Sequence, residues 1–395
     1  MNWDFILLVV FYLILFAIFR KYRNKFEVQW KIFVLYKTQW GIKLMDKIAK
    51  KFPKTLKFLS NISISVGFLG MAITLIVLAK GALSFFGPTP TPQVAPILPG
   101  VTVPGLPKLS FWHWILGILI AATFHEFMHG VYSRLHNVKI KSSGFAFLGP
   151  ILAAFVEPDE KDLEKKGTKA QLSVLSAGPF ANIVLGIIIL VFMFLVVVPI
   201  GNNIVIVNGI EVGGLNESYS ISNSGIKVGE VITEIDGVKL NSVNKIKDVL
   251  KDKKPGDEVD IIVNDKEYEI ELGSNPDNKD EAFLGISISK FSTEPKYGGK
   301  LFGWFVKIFG WFSLLTFWVF NINIGIGLFN LLPLGPVDGG RMFYSAVFHF
   351  TKNKILSLKI LNYLSLFILF LIIINMWPFI IKLINFIFGP LLALF

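Results

Sequence analysis

Long apolar runs alternate with charged segments along the chain. Six runs stand out, at 5–19, 62–86, 110–133, 171–200, 301–332 and 356–388. An α-helix needs about 20 mostly apolar residues to cross the hydrocarbon core of a bilayer. The pattern therefore predicts an α-helical multi-pass membrane protein with about six spans. Pro378 interrupts the last run, which could be a span followed by a re-entrant or interfacial helix.

The segment 202–298 has a different pattern. Its short stretches alternate apolar and polar residues, as in VITEID, EVDIIVND and KEYEIEL, and turn residues separate them. This alternation is typical of half-buried strands, so the segment is predicted to be an inserted, small α+β soluble domain. The chain then divides into an N-terminal anchor span with a basic segment (1–60), a membrane core (61–201), the inserted domain (202–298) and the rest of the membrane core (299–395).

Composition excludes several classes of protein. Hydrophobic residues make up 53% of the 395 residues, the mean hydropathy is +0.60, and only 17% of residues are charged. Soluble domains carry about 25% charged residues, so an ordinary soluble enzyme is a poor fit. The chain has no cysteine, which excludes disulfides, thiolate metal ligands and a cysteine nucleophile.

The net charge of +11 is unevenly distributed. The segment 202–298 holds 18 acidic and 11 basic side chains, whereas 20–57 holds 12 basic residues against Glu27 and Asp46. A basic segment beside an apolar run predicts a cytoplasmic, lipid-facing position rather than a nucleic-acid site. The aromatic residues within it suggest an interfacial amphipathic helix. They are Trp30, Phe33, Tyr36 and Trp40.

The same charge rule predicts an orientation. Arg20 and Lys21 follow the first run directly, which indicates an uncleaved anchor with its N-terminus outside the cell membrane. Alternation of the spans then places the inserted domain outside and the loops 134–169 and 334–355 inside.

Ionisable residues inside an apolar run are costly and indicate function. The third run contains HEFMH, with His125, Glu126 and His129. Histidines four residues apart lie on one face of a helix, where both imidazoles can reach one zinc ion. Glu126 lies beside them, as the general base of a zinc hydrolase does. The alternative is a hydrogen-bonded cluster of structural or proton-relay residues.

A catalytic zinc needs a third protein ligand. Asp338 is the best candidate, because it follows the fifth run within FNLLPLGPVDGGR, where prolines break the helix and glycines permit close approach. Its alternative role is the N-cap of a helix beginning at Gly339. The other histidines are less suitable by position; they are His113, His136 and His349.

Two other classes of protein remain open at this point. The buried His, Glu and Asp residues could form the site of a metal- or proton-coupled transporter, although the chain shows none of the internal repeats common in transporters. A catalytically silent membrane scaffold would have no need of all four residues together. Two histidines and a carboxylate favour zinc over other divalent ions.

Three motifs together resemble the site-2 protease family of intramembrane zinc metalloproteases. They are HEFMH, the N-x-x-P-x-x-P-V-D-G-G motif at 330–340, and SAGPFAN at 176–182. Val337 stands where the family usually has leucine, a conservative difference. The segment 143–160 resembles the membrane-associated β-hairpin that follows the HExxH helix in this family.

The resemblance implies a role for each matching residue. His125, His129 and Asp338 would bind one Zn²⁺ per chain, and Glu126 would act as general base. Asn330 and Asn182 would bind the substrate backbone or the oxyanion, and the alternative for Asn182 is a hydrogen bond that holds neighbouring spans together. The substrates would be single-span membrane proteins, unwound at the cleavage site and held on a strand edge supplied by 143–156.

The inserted domain resembles a PDZ domain over 224–263, through GIKVGEVI, IDG and a Pro-Gly turn. The resemblance implies that an extended peptide binds on a sheet edge of this domain. A steric filter that excludes substrates with large external domains is the alternative. If the domain recruits substrates, deletion of 205–292 should abolish cleavage. If it excludes large substrates, the same deletion should broaden the range of substrates that are cleaved.

Overall fold

A computed structural model describes residues 3–29, 33–87, 93–99, 103, 106–148, 151–241, 243–276 and 278–392. The chain forms two compact units. One comprises Met1–Pro99, Leu109–Val191 and Leu315–Phe395, and the other comprises Gly100–Lys108 and Phe192–Leu314.

The described residues form helices and strands throughout both units. The helices are α1 (Trp3–Lys21), α2 (Ile42–Lys51), α3 (Pro53–Ser84), α4 (Phe111–Leu135), α5 (Glu160–Glu164), α6 (Thr168–Phe192), α7 (Val198–Ile204), α8 (Val243–Leu250), α9 (Lys300–Asn330), α10 (Asp338–Thr351) and α11 (Lys354–Leu392). The strands are β1 (Phe26–Gln29), β2 (Phe33–Thr38), β3 (Ile140–Leu148), β4 (Ile151–Pro158), β5 (Val205–Leu215), β6 (Val231–Ile235), β7 (Val238–Lys239), β8 (Glu258–Val263), β9 (Lys266–Glu271), β10 (Gly273–Ser274), β11 (Ala282–Phe283) and β12 (Ile286–Pro295).

Five helical segments among the described residues are long and apolar enough to cross a membrane. They are Pro53–Ser84, Phe111–Leu135, Thr168–Ile204, Lys300–Asn330 and Lys354–Asn385. These segments match five of the six predicted runs, while the first run forms α1, and its crossing of a membrane stays a prediction. The predicted break at Pro378 does not occur, because α11 continues through it.

The first unit contains a four-stranded antiparallel sheet in the order β1-β2-β3-β4. The prediction that the aromatic residues of the basic segment lie in an amphipathic helix is wrong. Phe33 and Tyr36 lie in β2, and Trp40 lies in a turn. Trp30 falls outside the described residues. The helix that does form, α2, comes later in the chain. Apolar and aromatic residues dominate FVLYKT, and strand pairing with β3 decides their conformation.

Gly144 allows the two hairpins of this sheet to join. A Cβ at Gly144 would collide with the carbonyl oxygen of Tyr36 in β2. Side-chain hydrogen bonds reinforce the contact, since the Thr38 hydroxyl donates to the Ser143 carbonyl (3.1 Å) and the Ser143 hydroxyl donates to the Trp40 carbonyl (2.6 Å). The N-terminal segment is therefore an integral part of the sheet.

Helix α2 contacts α4 at two points. Met45 of α2 lies against Gly130, where a side chain would displace the Met45 sulfur. Arg134 makes a two-point ion pair with Asp46, including an Nη2–Oδ2 contact of 3.1 Å. Hydrogen bonding to Arg134 holds the pKa of Asp46 below its usual value. The last turn of α4 is thereby attached to α2.

Helices α3 and α6 pack along a polar seam. Ser60 bonds Ser173 (2.6 Å) and Ser63 bonds Ser176 (2.8 Å), with all four side chains buried. Hydroxyl pairs of this kind hold apolar helices together without an unpaired polar group. The seam fixes α6 beside α3 and so helps to position the residues that α6 brings to the site.

The second unit contains the inserted α+β domain. Its main sheet runs β12-β5-β6-β8-β9, with β7 paired to β6, and β10 pairs separately with β11. The core is aliphatic, and Ile210, Ile232 and Ile261 in it are fully buried. The short alternating stretches of the sequence thus form strands, as predicted.

Candidate metal centre

His125 and His129 lie one turn apart on α4 and face the same point. Their side chains are buried, and their Nε2 atoms are 3.1 Å apart. The four-residue spacing produces this arrangement, because residues i and i+4 share a helix face. Two polar rings in a helix this apolar require a common partner.

Asp338 supplies that partner. Its Oδ2 atom lies 3.0 Å from Nε2 of His125 and 3.2 Å from Nε2 of His129. Asp338 is the first residue of α10, and the carboxylate contacts the histidines rather than capping the helix. The N-cap alternative is therefore wrong for Asp338.

The two glycines after Asp338 permit this approach. A Cβ at Gly339 would collide with the backbone of Leu331, and one at Gly340 with the Leu334 carbonyl. The start of α10 therefore packs directly against the backbone of the turn that follows α9.

The three donor atoms fit a zinc ion. All three separations lie between 3.0 and 3.2 Å, so the atoms form a nearly equilateral triangle. Ligands at 2.0–2.1 Å from a tetrahedral zinc are about 3.3 Å from one another. Two nitrogens and one carboxylate oxygen are also a donor set that zinc commonly takes. Among the described residues, these three form the group able to hold a metal.

Backbone and amide groups orient the two imidazoles. Nδ1 of His129 lies 2.7 Å from the carbonyl oxygen of Val174. A carbonyl can only accept, so Nδ1 carries the proton and Nε2 keeps its lone pair for a metal.

His125 has a side-chain partner instead. Its Nδ1 atom lies 3.3 Å from Nδ2 of Asn182, which is fully buried, and Oδ1 of Asn182 has no hydrogen-bond partner. The two ends of an amide are distinguished only by their partners. With the amide turned over, Oδ1 accepts the Nδ1–H of His125, which leaves the Nε2 lone pair of His125 for a metal.

Gly178 leaves space for the metal. An added Cβ would lie 2.6 Å from Nε2 of His125 and still closer to Nε2 of His129. The residue lies on the face of α6 that carries Val174 and Asn182, one turn from each. Sequence reasoning recognised the SAGPFAN motif but missed this role. The small residues Ala177 and Gly178 before Pro179 are the signal that could have indicated a close helix approach.

Glu126 lies at the edge of the same site. Its Oε2 atom accepts a hydrogen bond from the backbone N–H of Val156 in β4 (3.1 Å). Glu126, His129 and Asp338 line one cavity of about 550 Å³, together with Phe155 and Arg341. The carboxylate thus faces a space large enough for a substrate segment.

The electrostatics favour an ionised Asp338. Burial by itself raises the pKa of this carboxyl, but when the imidazoles are protonated the charge of His129 and hydrogen bonds from both histidines lower it below its usual range. A metal ion in the place of those protons would supply the same positive charge. The side chain is consequently held as an anion, the form that binds a metal.

The other predicted residues lie elsewhere. Asn330 ends α9, and its Nδ2 donates to the carbonyl of Ile326 in its own helix (3.1 Å). Each remaining histidine bonds a hydroxyl: His113 contacts Ser110, His136 contacts Ser173, and His349 contacts Thr168. The structure thus gathers His125, Glu126, His129, Asp338 and Asn182, and shows no contact of Asn330 with the ligand group.

The sequence is similar to a protein family and to several known proteins. Residues 113–375 match the family described as peptidase family M50. The chain is 28% identical over 346 residues to an uncharacterized protein of Methanocaldococcus jannaschii, covering 85% of this chain and 84% of that protein. It is 24% identical over 237 residues to the zinc metalloprotease RasP of Shouchella clausii, covering 49% of this chain and 54% of that protein.

Part of the chain also resembles a solved domain. The PDZ domain of an SdrC-like protein from Listeria innocua is 28% identical, and the match covers 21% of this chain and 94% of that domain with a TM-score of 0.19.

Gly178→Ala should weaken metal binding, because the added methyl group would lie against both Nε2 atoms. We expect zinc affinity to fall about 5- to 150-fold, since overpacking of this kind costs about 1–3 kcal/mol. The measurement is zinc content after dialysis against buffered free zinc. Gly310→Ala, in a helix with open space around the new methyl group, is the matched control. Full zinc retention in Gly178→Ala would contradict this reading of the site.

Proposed function

Because the chain belongs to peptidase family M50, we propose that it is an intramembrane zinc endopeptidase that cuts single-span membrane proteins within their transmembrane segments. One observation carries the proposal: a His-His-Asp triangle with a glutamate beside it, in which both histidines and the glutamate lie on an apolar helix that is long enough to span a membrane.

The family and the named relatives confirm several coarser predictions. The chain is a metalloendopeptidase of the site-2 protease type, its cofactor is Zn²⁺, and it is a membrane protein. The alternatives of a transporter or a silent scaffold are set aside by the same family. When bound, zinc supplies a Lewis acid for the scissile carbonyl and lowers the pKa of water to about 7.

The protein residues have separate tasks in the proposed reaction. His125, His129 and Asp338 hold the metal. Glu126 takes a proton from the attacking water and returns it to the leaving amine. The hydrogen bond from the Val156 N–H fixes one oxygen of Glu126 and leaves the other for this transfer.

The substrate must be extended before it can be cut, because a helix hides its carbonyls in its own hydrogen bonds. An exposed strand edge can hold such a segment. The predicted segment 143–156 includes most of β3 and β4, and β3 is paired on both sides, with β2 and with β4. The edge therefore belongs to β4, and the C-terminal part of the predicted segment 143–156 supplies it.

The free edge of β4 faces the site. The Val156 N–H points away from β3, toward Glu126. Backbone N–H groups alternate in direction along a strand, so the N–H of Ala154 also points outward. Ala154 offers the donor that a substrate strand would use next to the cavity.

The membrane setting is part of the proposal. Its support is the positive charge of 20–57 and of the loops 134–169 and 334–355. The metal centre then lies toward the cytoplasmic side, and the N-terminus and the inserted domain lie outside.

We propose that the inserted domain binds an extended peptide of the substrate. Asn330 is retained as a candidate for binding the substrate backbone, because it heads the motif that contains Asp338.

Two substitutions should separate the base from the ligands. Glu126→Gln should keep about one zinc per chain and lose cleavage, because it removes the proton carrier and no ligand. Asp338→Ala should lose both. Zinc is measured by plasma mass spectrometry. Cleavage is measured on a reconstituted single-span reporter that has an apolar helix of about 20 residues, a short external tail and an epitope tag. Zinc in neither the wild type nor Glu126→Gln after zinc addition would contradict the proposal.

Asn182 should orient His125 through its Oδ1 atom. Asn182→Leu removes the acceptor, so we expect zinc affinity to fall about 10- to 100-fold, whereas Asn182→Asp keeps an acceptor and the affinity. Zinc dissociation is followed with a competing chelator. Asn323→Leu, which changes another buried helical asparagine bonded to its own helix, is the matched control. Equal loss in the Leu and Asp variants would refute the orienting role.

Ala154→Pro should block substrate binding on β4. Proline removes the outward N–H, leaves the β3–β4 ladder intact at that position, and is tolerated on edge strands. We expect zinc content to stay unchanged and reporter cleavage to fall about 2- to 12-fold, the effect of losing one hydrogen bond to the substrate. Ala154→Ser, which keeps the N–H, is the control. Normal cleavage by the proline variant would exclude this edge.

A further inference from the structure

A second cavity lies where α2, α3 and α4 meet. It measures about 350 Å³ and is lined by Asp46, Ala49, Lys50, Pro53, Lys57, Arg134, Leu135 and Asn137. We name it the junction pocket and propose that it binds the phosphate group of an anionic membrane lipid. This proposal goes beyond the peptidase reaction and does not depend on it.

Positive charge dominates the junction pocket. Three of its lining residues are basic and one is acidic. The acid, Asp46, is already engaged by Arg134. Neither Lys50 nor Lys57 makes a salt bridge with any of the residues that the structure describes. Arginine has five N–H donors, so Arg134 has donors beyond the two that Asp46 takes. A phosphate group would find two lysines without a salt bridge and the remaining N–H donors of Arg134.

The positive charge around the junction pocket also affects the pKa of a neighbouring histidine. His136 directly follows α4, and its pKa is lowered, first by burial and then by the charges of Lys57, Lys166 and Lys169. These charges favour an anion at this point.

The position of the junction pocket favours a lipid as the source of the phosphate. The candidate span Pro53–Ser84 begins here and the candidate span Phe111–Leu135 ends here. The ends of spans lie at the level of the lipid headgroups. Ala49, Pro53 and Leu135 give the pocket an apolar wall, and the nearby Phe52 and Phe58 are exposed. A headgroup can therefore enter the pocket while its acyl chains lie along α3.

Native mass spectrometry of the full-length protein tests the proposal. The protein in neutral detergent is titrated with phosphatidylglycerol or with phosphatidylcholine, and the bound lipids are counted. We expect one phosphatidylglycerol to be retained in preference to phosphatidylcholine. Each lysine near a lipid surface contributes about fivefold to the affinity, so Lys50→Gln with Lys57→Gln should weaken this binding at least about tenfold.

The matched control removes two lysines of the same segment that do not line the pocket, Lys43→Gln with Lys47→Gln. Zinc content measured on both double variants shows that each still folds. Equal weakening in the two double variants would mean diffuse surface charge and overturn the proposal, as would equal binding of the two lipids. Inorganic phosphate is the remaining arm: if millimolar phosphate displaces the lipid and binds alone with equal affinity, the pocket is a free-phosphate site and the lipid assignment is wrong.

Discussion

The structure depends on one triangle of donor atoms, held in a mostly apolar surrounding by helices that are far apart in the chain. Two imidazoles and a carboxylate are costly to bury, and they become stable only when they satisfy one another or share a cation. Their separations of 3.0–3.2 Å require α4 and α10 to meet with little tolerance. Much of the packing in the first unit holds α4 and the start of α10 in this contact.

Glycine residues allow the helices to approach this closely. Gly178 leaves the space beside the two Nε2 atoms open. Gly339 and Gly340 allow the start of α10 to pack against the turn that precedes it. Large residues then fill the surrounding space: Met342 of α10 lies against Gly67 of α3. Because interiors are close-packed, the same glycines that admit the metal also fix the depth at which each helix lies.

The sheet joins the metal centre to its proposed substrate. β4 contributes a backbone N–H to Glu126, the proposed base, and a free edge to the cavity. Strand β2 of the N-terminal hairpin pairs with the other edge of β3. The β3–β4 hairpin therefore has one unpaired edge, that of β4, beside the site. The arrangement couples the position of the base to the position of the strand on which a substrate would be held.

The sequence by itself determined the chemistry of this protein. His125 and His129 share a helix face through a fixed spacing with Glu126 beside them, and the glycine- and proline-rich turn around Asp338 indicated a third ligand, because these are local properties of the chain. Local pattern also separated the apolar helices from the alternating strands of the inserted domain. Only the tertiary structure decided that 33–38 is a strand, that Asn182 and the Val174 carbonyl orient the imidazoles, and that β4 is the free edge. Those outcomes depend on contacts between segments distant in sequence, and neither the periodicity nor the propensity of a single segment contains them.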